Sequence, residues 1–211
     1  MTITSKICGL THFDDIDLVN RSGADMVGFV FHAPSPRHVM PDAAAALAAR
    51  CAPHIERVAV LVDPDDDAVE NALAAVSPHR LQLHGNESPA RVAEIAARTG
   101  RPIIKAFCIS SAADIEAAAD YADVADRFLF DAAKAGSGEA FDRTLLKAYD
   151  GDTAWILSGG LTPENVADAV AETGATAVDV SSGVEASPGR KDPARVAAFI
   201  AAIDDRARTG T

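Results

Sequence analysis

The chain has 211 residues, 48% of them hydrophobic, which suits one or two domains with a core of ordinary size. Its 31 acidic residues outnumber 19 basic ones for a formal net charge of -12, and no Lys/Arg-rich run appears, which sets the chain against nucleic acid and anionic membrane as partners. The three cysteines, at 8, 51 and 108, form neither an even set nor a CxxC pair, so neither a disulfide framework nor a metal site is expected. The first ten residues, MTITSKICGL, lack the long apolar region of a signal peptide, and no apolar run nears the roughly 20 residues that cross a bilayer. The expectation is a cytoplasmic protein with reduced thiols, with monomer and homodimer both open. A small anionic ligand can bind such a chain only through local donors, either backbone amides at helix starts or isolated arginines.

In chain order the strand candidates are ITSKIC, DMVGFVF, RVAVLV, RLQLH, PIIKAF, RFLFD, AWILSG and TAVDVS. Between and after them run amphipathic, often Ala-rich patterns: PDAAAALAARCA, DDAVENALAAV, SPARVAEIAART, AADIEAAADYA, RTLLKAYD, PENVADAVAET and DPARVAAFIAAIDDRAR. Strand and helix alternate eight times at roughly 25 residues per unit, the pattern of βα units and a parallel sheet. A doubly wound open sheet alternates in the same way. Eight units in so short a chain favour a minimal (β/α)8 TIM barrel, and no linker divides residues 1–211, so one domain is expected. Chemistry in such a barrel belongs where each strand hands over to its helix.

Strand one ends KICG, and period-two alternation puts Lys6 and Cys8 on one face, inside the barrel if Ile7 faces the helices. Cys8 reads either as a small buried hydrophobe or as a reactive thiol whose pKa Lys6, the neighbouring cation, is placed to lower. What Lys6 and Lys105 pair with, if both point inward, stays open. For Cys51 and Cys108 a structural role is expected. Strand two runs into FHAPSPRHV, where Arg37 overhangs the mouth and its guanidinium suits a carboxylate, unless it is a solvated surface arginine. Strand four ends LQLHG, with Gln82 and His84 on one face and His84 read as a structural mouth residue. The acids of VLVDPDD after strand three read as a helix start.

Strand six ends in Asp131, a general acid or base candidate or else a turn cap, before a loop with Gly136 and Gly138 whose backbone can approach a ligand. Strand seven leads into Gly159-Gly160, then Thr162 and Pro163 as N-cap and first helical residue. Strand eight leads into Ser181-Ser182-Gly183. Two small-residue turns after strands seven and eight are where this fold binds phosphate, with amides and helix dipoles in place of positive side chains.

Together KICGLT, GFVFHAPSPRHV, LQLHG, FLFD, LSGGLTPENV and VDVSSGVEASPGRKD, spanning Lys6 to Asp192, resemble the phosphoribosylanthranilate isomerase family of tryptophan biosynthesis. The resemblance implies a cofactor-free barrel that converts N-(5-phosphoribosyl)anthranilate to 1-(2-carboxyphenylamino)-1-deoxyribulose 5-phosphate by an Amadori rearrangement. It makes Cys8 the general base and Asp131 the general acid, and puts Arg37 on the anthranilate carboxylate. Gly159, Gly160, Ser182 and Gly183 fall on the phosphate site, and Asp179 on an acidic mouth position. As an acid, Asp131 needs a pKa raised by burial or by a neighbouring carboxylate such as Asp179.

The family pattern is broken in one region. Ala135, Ser137 and Arg143 stand where Gly, Thr and Trp are usual, and Ser158 replaces the usual alanine before the two glycines. A shortened loop of this kind bears on closure over substrate more than on reaction type. Two alternatives follow: a phosphosugar-binding barrel without catalysis, and a related phosphosugar isomerase with altered substrate choice. Against the histidine-pathway relative, Cys8 stands where that enzyme has aspartate, and the acidic VLVDPDDD offers no second anion site. A nucleotide-binding open sheet lacks its GxGxxG after strand one.

Overall fold

The structure, a computed structural model, describes residues 3–132 and 142–209. Gly136 and Gly138 of the loop after strand six lie outside the described residues. Eight parallel strands, β1 (Thr4–Cys8), β2 (Met26–Val30), β3 (Glu56–Leu61), β4 (Arg80–Leu83), β5 (Ile103–Ile109), β6 (Arg127–Ala132), β7 (Trp155–Leu157) and β8 (Ala177–Val180), pair in chain order. β8 returns to pair with β1 and closes the barrel, with Lys6 opposite Asp179. The expected (β/α)8 barrel is therefore the observed fold.

Alternation sorts the strand residues into two apolar layers. Cys8, Met26, Val58, Val60, Ile104, Ala106 and Leu129 fill the barrel interior. Ile7, Phe29, Leu61, Leu83, Phe130 and Val178 pack outward against the helices. Lys6 and Cys8 thus face inward as their spacing requires. Lys105 does not: it lies between the inward-facing Ile104 and Ala106 and so points to the outer layer.

The helices are α1 (Phe13–Ser22), α2 (Pro41–Ala48), α3 (Asp66–Val76), α4 (Pro89–Thr99), α5 (Ala112–Glu116), α6 (Val166–Thr173) and α7 (Pro193–Thr209). Asp65 caps α3 by accepting from the Ala68 amide, which accounts for the acidic run after β3. Two expected helices are tighter than α. AADIEAAADYA breaks after α5 into 3-10 turns over Ala117–Tyr121, and RTLLKAYD forms 3-10 turns over Arg143–Ala148. Each leads into a tyrosine anchored elsewhere, Tyr121 donating to the Glu87 carbonyl and Tyr149 to that of Thr153, and the tighter winding serves that anchoring. Ahead of α6, Thr162 and Asn165 bond reciprocally around the turn, so regular helix begins at Val166, later than Pro163 suggested. After β8 the chain forms a small hairpin, β9 (Glu185–Ser187) with β10 (Arg190–Lys191), before α7. Among the described residues, no helix is long and apolar enough to cross a membrane.

Candidate active site

At the C-terminal ends of the strands lies a cavity of about 460 Å³. Its lining includes Cys8, Arg37, His84, Asp131, Asp179, Gly159, Gly160, Ser182 and Gly183, so the structure brings together every expected site residue that it describes.

Cys8 sits at the end of β1 opposite Gly28 of β2, where a Cβ would stand 2.6 Å from the thiol sulfur. A glycine inside a strand was the signal for this contact, since such a glycine marks a close approach. Burial pushes the Cys8 pKa up from the ordinary thiol value, while the Lys6 and Lys191 charges act against that rise. Lys6 therefore opposes the shift without reversing it, and the expected lowering of the thiol pKa is corrected by burial. The Lys6 ammonium is occupied: its Nζ donates to Asp179 Oδ1 at 2.8 Å, both side chains being buried. Burial works against the Lys6 charge, yet Asp179 and Cys8 outweigh it and raise its pKa. The Ser158 hydroxyl, where alanine is usual, donates to the other Asp179 oxygen at 3.3 Å.

Asp131, the penultimate residue of β6, has its side chain 11% exposed, and its Oδ2 lies 3.5 Å from His84 Nε2. Burial disfavours the His84 cation, but contacts with Asp131 and Cys108 outweigh it and push the imidazole pKa up to about 9. The titratable neighbour set against Asp131 is thus a histidine: of the two anticipated influences burial is present, while Asp179 pairs instead with Lys6. His84, read as a structural mouth residue, meets Asp131, and Cys108, read as inert, reaches it. The other ring nitrogen, Nδ1, lies 2.9 Å from the Gln82 amide nitrogen, while Gln82 Oε1 is buried without a hydrogen-bond partner among the described residues. Turning the amide by half a turn gives Oε1 the Nδ1–H as donor, the arrangement that a cationic His84 needs.

Arg37 reaches the mouth from the loop after β2, but not as a solvated arginine. Its Nε and Nη2 donate to the two Glu185 carboxylate oxygens at 2.8 Å each. Lys191 Nζ, fully buried, donates to Glu185 Oε1 at 2.9 Å and to the Ser181 carbonyl at 3.1 Å. Burial works against the Glu185 carboxylate, yet Arg37 and Lys191 hold its pKa below the usual value. Neither Glu185 nor Lys191 was singled out from the sequence. EASPGRK, a Pro-Gly pair between charged ends, was the available hairpin signal.

The two small-residue turns also meet. Gly159 and Gly160 adopt left-handed φ of 85° and 63°. A Cβ at Gly183 would lie 1.8 Å from the Leu161 carbonyl, so the turn after β8 packs on the chain after β7 through bare backbone.

A closed (β/α)8 barrel whose mouth joins an acid–imidazole pair, a buried thiol and two apposed glycine turns has the form of a (β/α)8-barrel enzyme. The comparisons specify the family. The chain matches the family described as N-(5'phosphoribosyl)anthranilate (PRA) isomerase over residues 5–202, and it belongs to that family. It is 50% identical over 210 residues to the N-(5'-phosphoribosyl)anthranilate isomerase of Rhodospirillum rubrum, covering 94% of this chain and 96% of that one. It superposes on the phosphoribosyl anthranilate isomerase of Thermus thermophilus with TM-score 0.88 at 35% identity, covering 96% and 99% of the two chains. A phosphoribosyl anthranilate isomerase in complex with reduced 1-(o-carboxyphenylamino)-1-deoxyribulose 5-phosphate matches with TM-score 0.85 at 35% identity, over 97% and 100%.

Proposed function

We propose that the chain isomerises N-(5'-phosphoribosyl)anthranilate in tryptophan biosynthesis, with Asp131 as general acid and Cys8 as general base. The observation that carries this reading is the convergence of Cys8, Asp131, Arg37 and both glycine turns on one cavity. Opening the furanose requires a proton on its ring oxygen, which Asp131 delivers. The proton passes by relay: His84, protonated at neutral pH with its pKa of about 9, lies 3.5 Å from the Asp131 carboxylate and gives its proton to Asp131 as the carboxyl passes one to the ring oxygen. The resulting imine loses the proton on the adjacent sugar carbon to the Cys8 thiolate, and the enolamine then tautomerises to the ketone. A thiol whose pKa burial has raised is scarce as thiolate but strongly basic once ionised, and Lys6 and Lys191 favour that ionised form.

Arg37 binds the anthranilate carboxylate, and the turns at Gly159-Gly160 and Ser182-Gly183 bind the phosphate. Asp179 holds Lys6 in place beside the thiol. The chain carries out this chemistry in the cytoplasm, as monomer or homodimer, on a small phosphosugar substrate.

The test mixes purified protein with freshly generated phosphoribosylanthranilate and follows the loss of substrate fluorescence. Turnover should fall by about a hundredfold or more in both Cys8→Ala and Asp131→Asn. Undiminished turnover in either variant removes that residue from its role. A wild type that binds the reduced product analogue without turnover would favour a binding barrel.

A further inference from the structure

The carboxylate end of the cavity poses a charge problem. A guanidinium already bonded to Glu185 by two hydrogen bonds is, on its own, neutralised, and a neutral pair attracts no second carboxylate. Two features alter that. Among the described residues Glu185 takes the Nε/Nη2 edge of Arg37, which leaves the Nη1/Nη2 edge for a ligand in the cavity that Arg37 lines. The fully buried Lys191 ammonium sits on Glu185, so Arg37, Glu185 and Lys191 together carry one net positive charge, the complement of one carboxylate.

The same contacts fix the guanidinium in space. The Arg37 chain lies across Gly9, where a Cβ would come within 2.5 Å of Cδ. Lys191 ties the triad to the Ser181 carbonyl, and the Ser181 hydroxyl donates to the Cys8 carbonyl at 3.0 Å. Orientation and charge at position 37 therefore depend on residues of the β9/β10 hairpin.

We infer that Glu185 and Lys191 are positioning residues for substrate recognition: Glu185 aims the free edge of Arg37 at the substrate carboxylate, and Lys191 restores the positive charge that Glu185 cancels. This rests on the assignment of Arg37 to that carboxylate. The test compares affinity for the reduced product analogue with affinity for the same compound carrying phenyl in place of carboxyphenyl, by titration calorimetry. Wild type should prefer the carboxylated compound, and Arg37→Met should abolish the preference. Glu185→Gln and Lys191→Met should each cut it by at least about tenfold, through lost orientation and lost charge respectively, with affinity for the phenyl compound held within about twofold. Glu185→Gln/Lys191→Met, which restores one positive charge, should recover part of the loss from Lys191→Met, a result that a merely structural role does not give. In turnover, Lys191→Met should raise KM, and kcat should fall with it because Lys191 also favours the Cys8 thiolate, so the carboxylate preference in binding is the readout specific to recognition. A preference lost in Arg37→Met but intact in Glu185→Gln and Lys191→Met overturns the inference and leaves the Arg37 assignment standing. A preference that survives Arg37→Met overturns both.

Discussion

Two buried lysines, one on each side of the barrel wall, form ion pairs of nearly the same length and serve opposite ends. Lys6 points inward and meets Asp179 at 2.8 Å, and both pair members border the Cys8 thiol. Lys105 points outward and meets Glu87 at 3.0 Å, with side-chain exposures of 3% and 1%. Its ammonium also donates to the Gly85 and Ala106 carbonyls at 2.8 and 2.9 Å and lies over the rings of Phe107 and Tyr121. Glu87 in turn accepts from the amides of Asp63 and Gly85. The outer pair is thus bonded on all sides by backbone and clamps the turn after β4, while the inner pair, among the described residues, has a serine hydroxyl and a thiol beside it. Partner chemistry is the same; what differs is what the remaining lone pairs and protons face, and that decides which pair can influence a reaction.

The largest expected effect tests the outer clamp. Lys105→Met leaves Glu87 buried without its cation and removes the ammonium from the Leu83, Gly85 and Ala106 carbonyls, and should cost about 3–5 kcal/mol in urea unfolding. Thiol titration of Cys8 should be unchanged in that variant wherever it is folded, and a shifted midpoint would erase the distinction between the pairs. Lys6→Met should also destabilise, and it should move the Cys8 titration midpoint to higher pH by removing the charge that opposes burial. Lys6→Met/Asp179→Leu removes both charges and should regain much of the stability, about 1–4 kcal/mol. A midpoint no lower in wild type than in Lys6→Met would show that Lys6 does not act on the thiol.

These two lysines also mark how far the sequence could be read. KIC alternates between polar and apolar partners, so the inward face of Lys6 and Cys8 follows from period two. PIIKAF is apolar on both faces and carries no alternation, so the facing of Lys105 depends on register with β4 and β6, which only the closed barrel supplies. Asp131, Arg37 and the two glycine turns were legible because they sit at strand ends, where this fold keeps its chemistry. Glu185 and Lys191 were not, because their partner Arg37 is 148 residues from Glu185 in the chain. The 3-10 segments escaped for a related reason: their winding answers to tyrosine anchors, which helix periodicity does not encode.

A substitution that spares both lysine pairs isolates the thiol. Gly28→Ala drives a methyl to within 2.6 Å of the Cys8 sulfur, and overpacking of this kind costs about 1–3 kcal/mol. Turnover should fall more than stability predicts, since the displaced atom is the proposed base. Gly100→Ala, where a Cβ meets nothing within 4 Å but φ is +62°, serves as the control, with backbone strain alone and activity intact. Equal loss of turnover in the two variants would argue that Cys8 placement is immaterial.

The smallest effect joins the two sides, because two of the three carbonyls gripped by Lys105 belong to Leu83 and Gly85, which flank His84. His84 has its pKa raised from 6.5 to about 9, so its charged contact with Asp131 adds stability that is fully present below pH 6.5 and is lost as pH rises through 9. Urea unfolding of wild type against His84→Asn should show that difference in acid and its disappearance above pH 9, and kcat/KM should lose its basic limb near the same pH. The reverse sign, with wild type gaining on the variant as pH rises, would mean that His84 is neutral in the folded protein and leaves Asp131 to hold its proton alone.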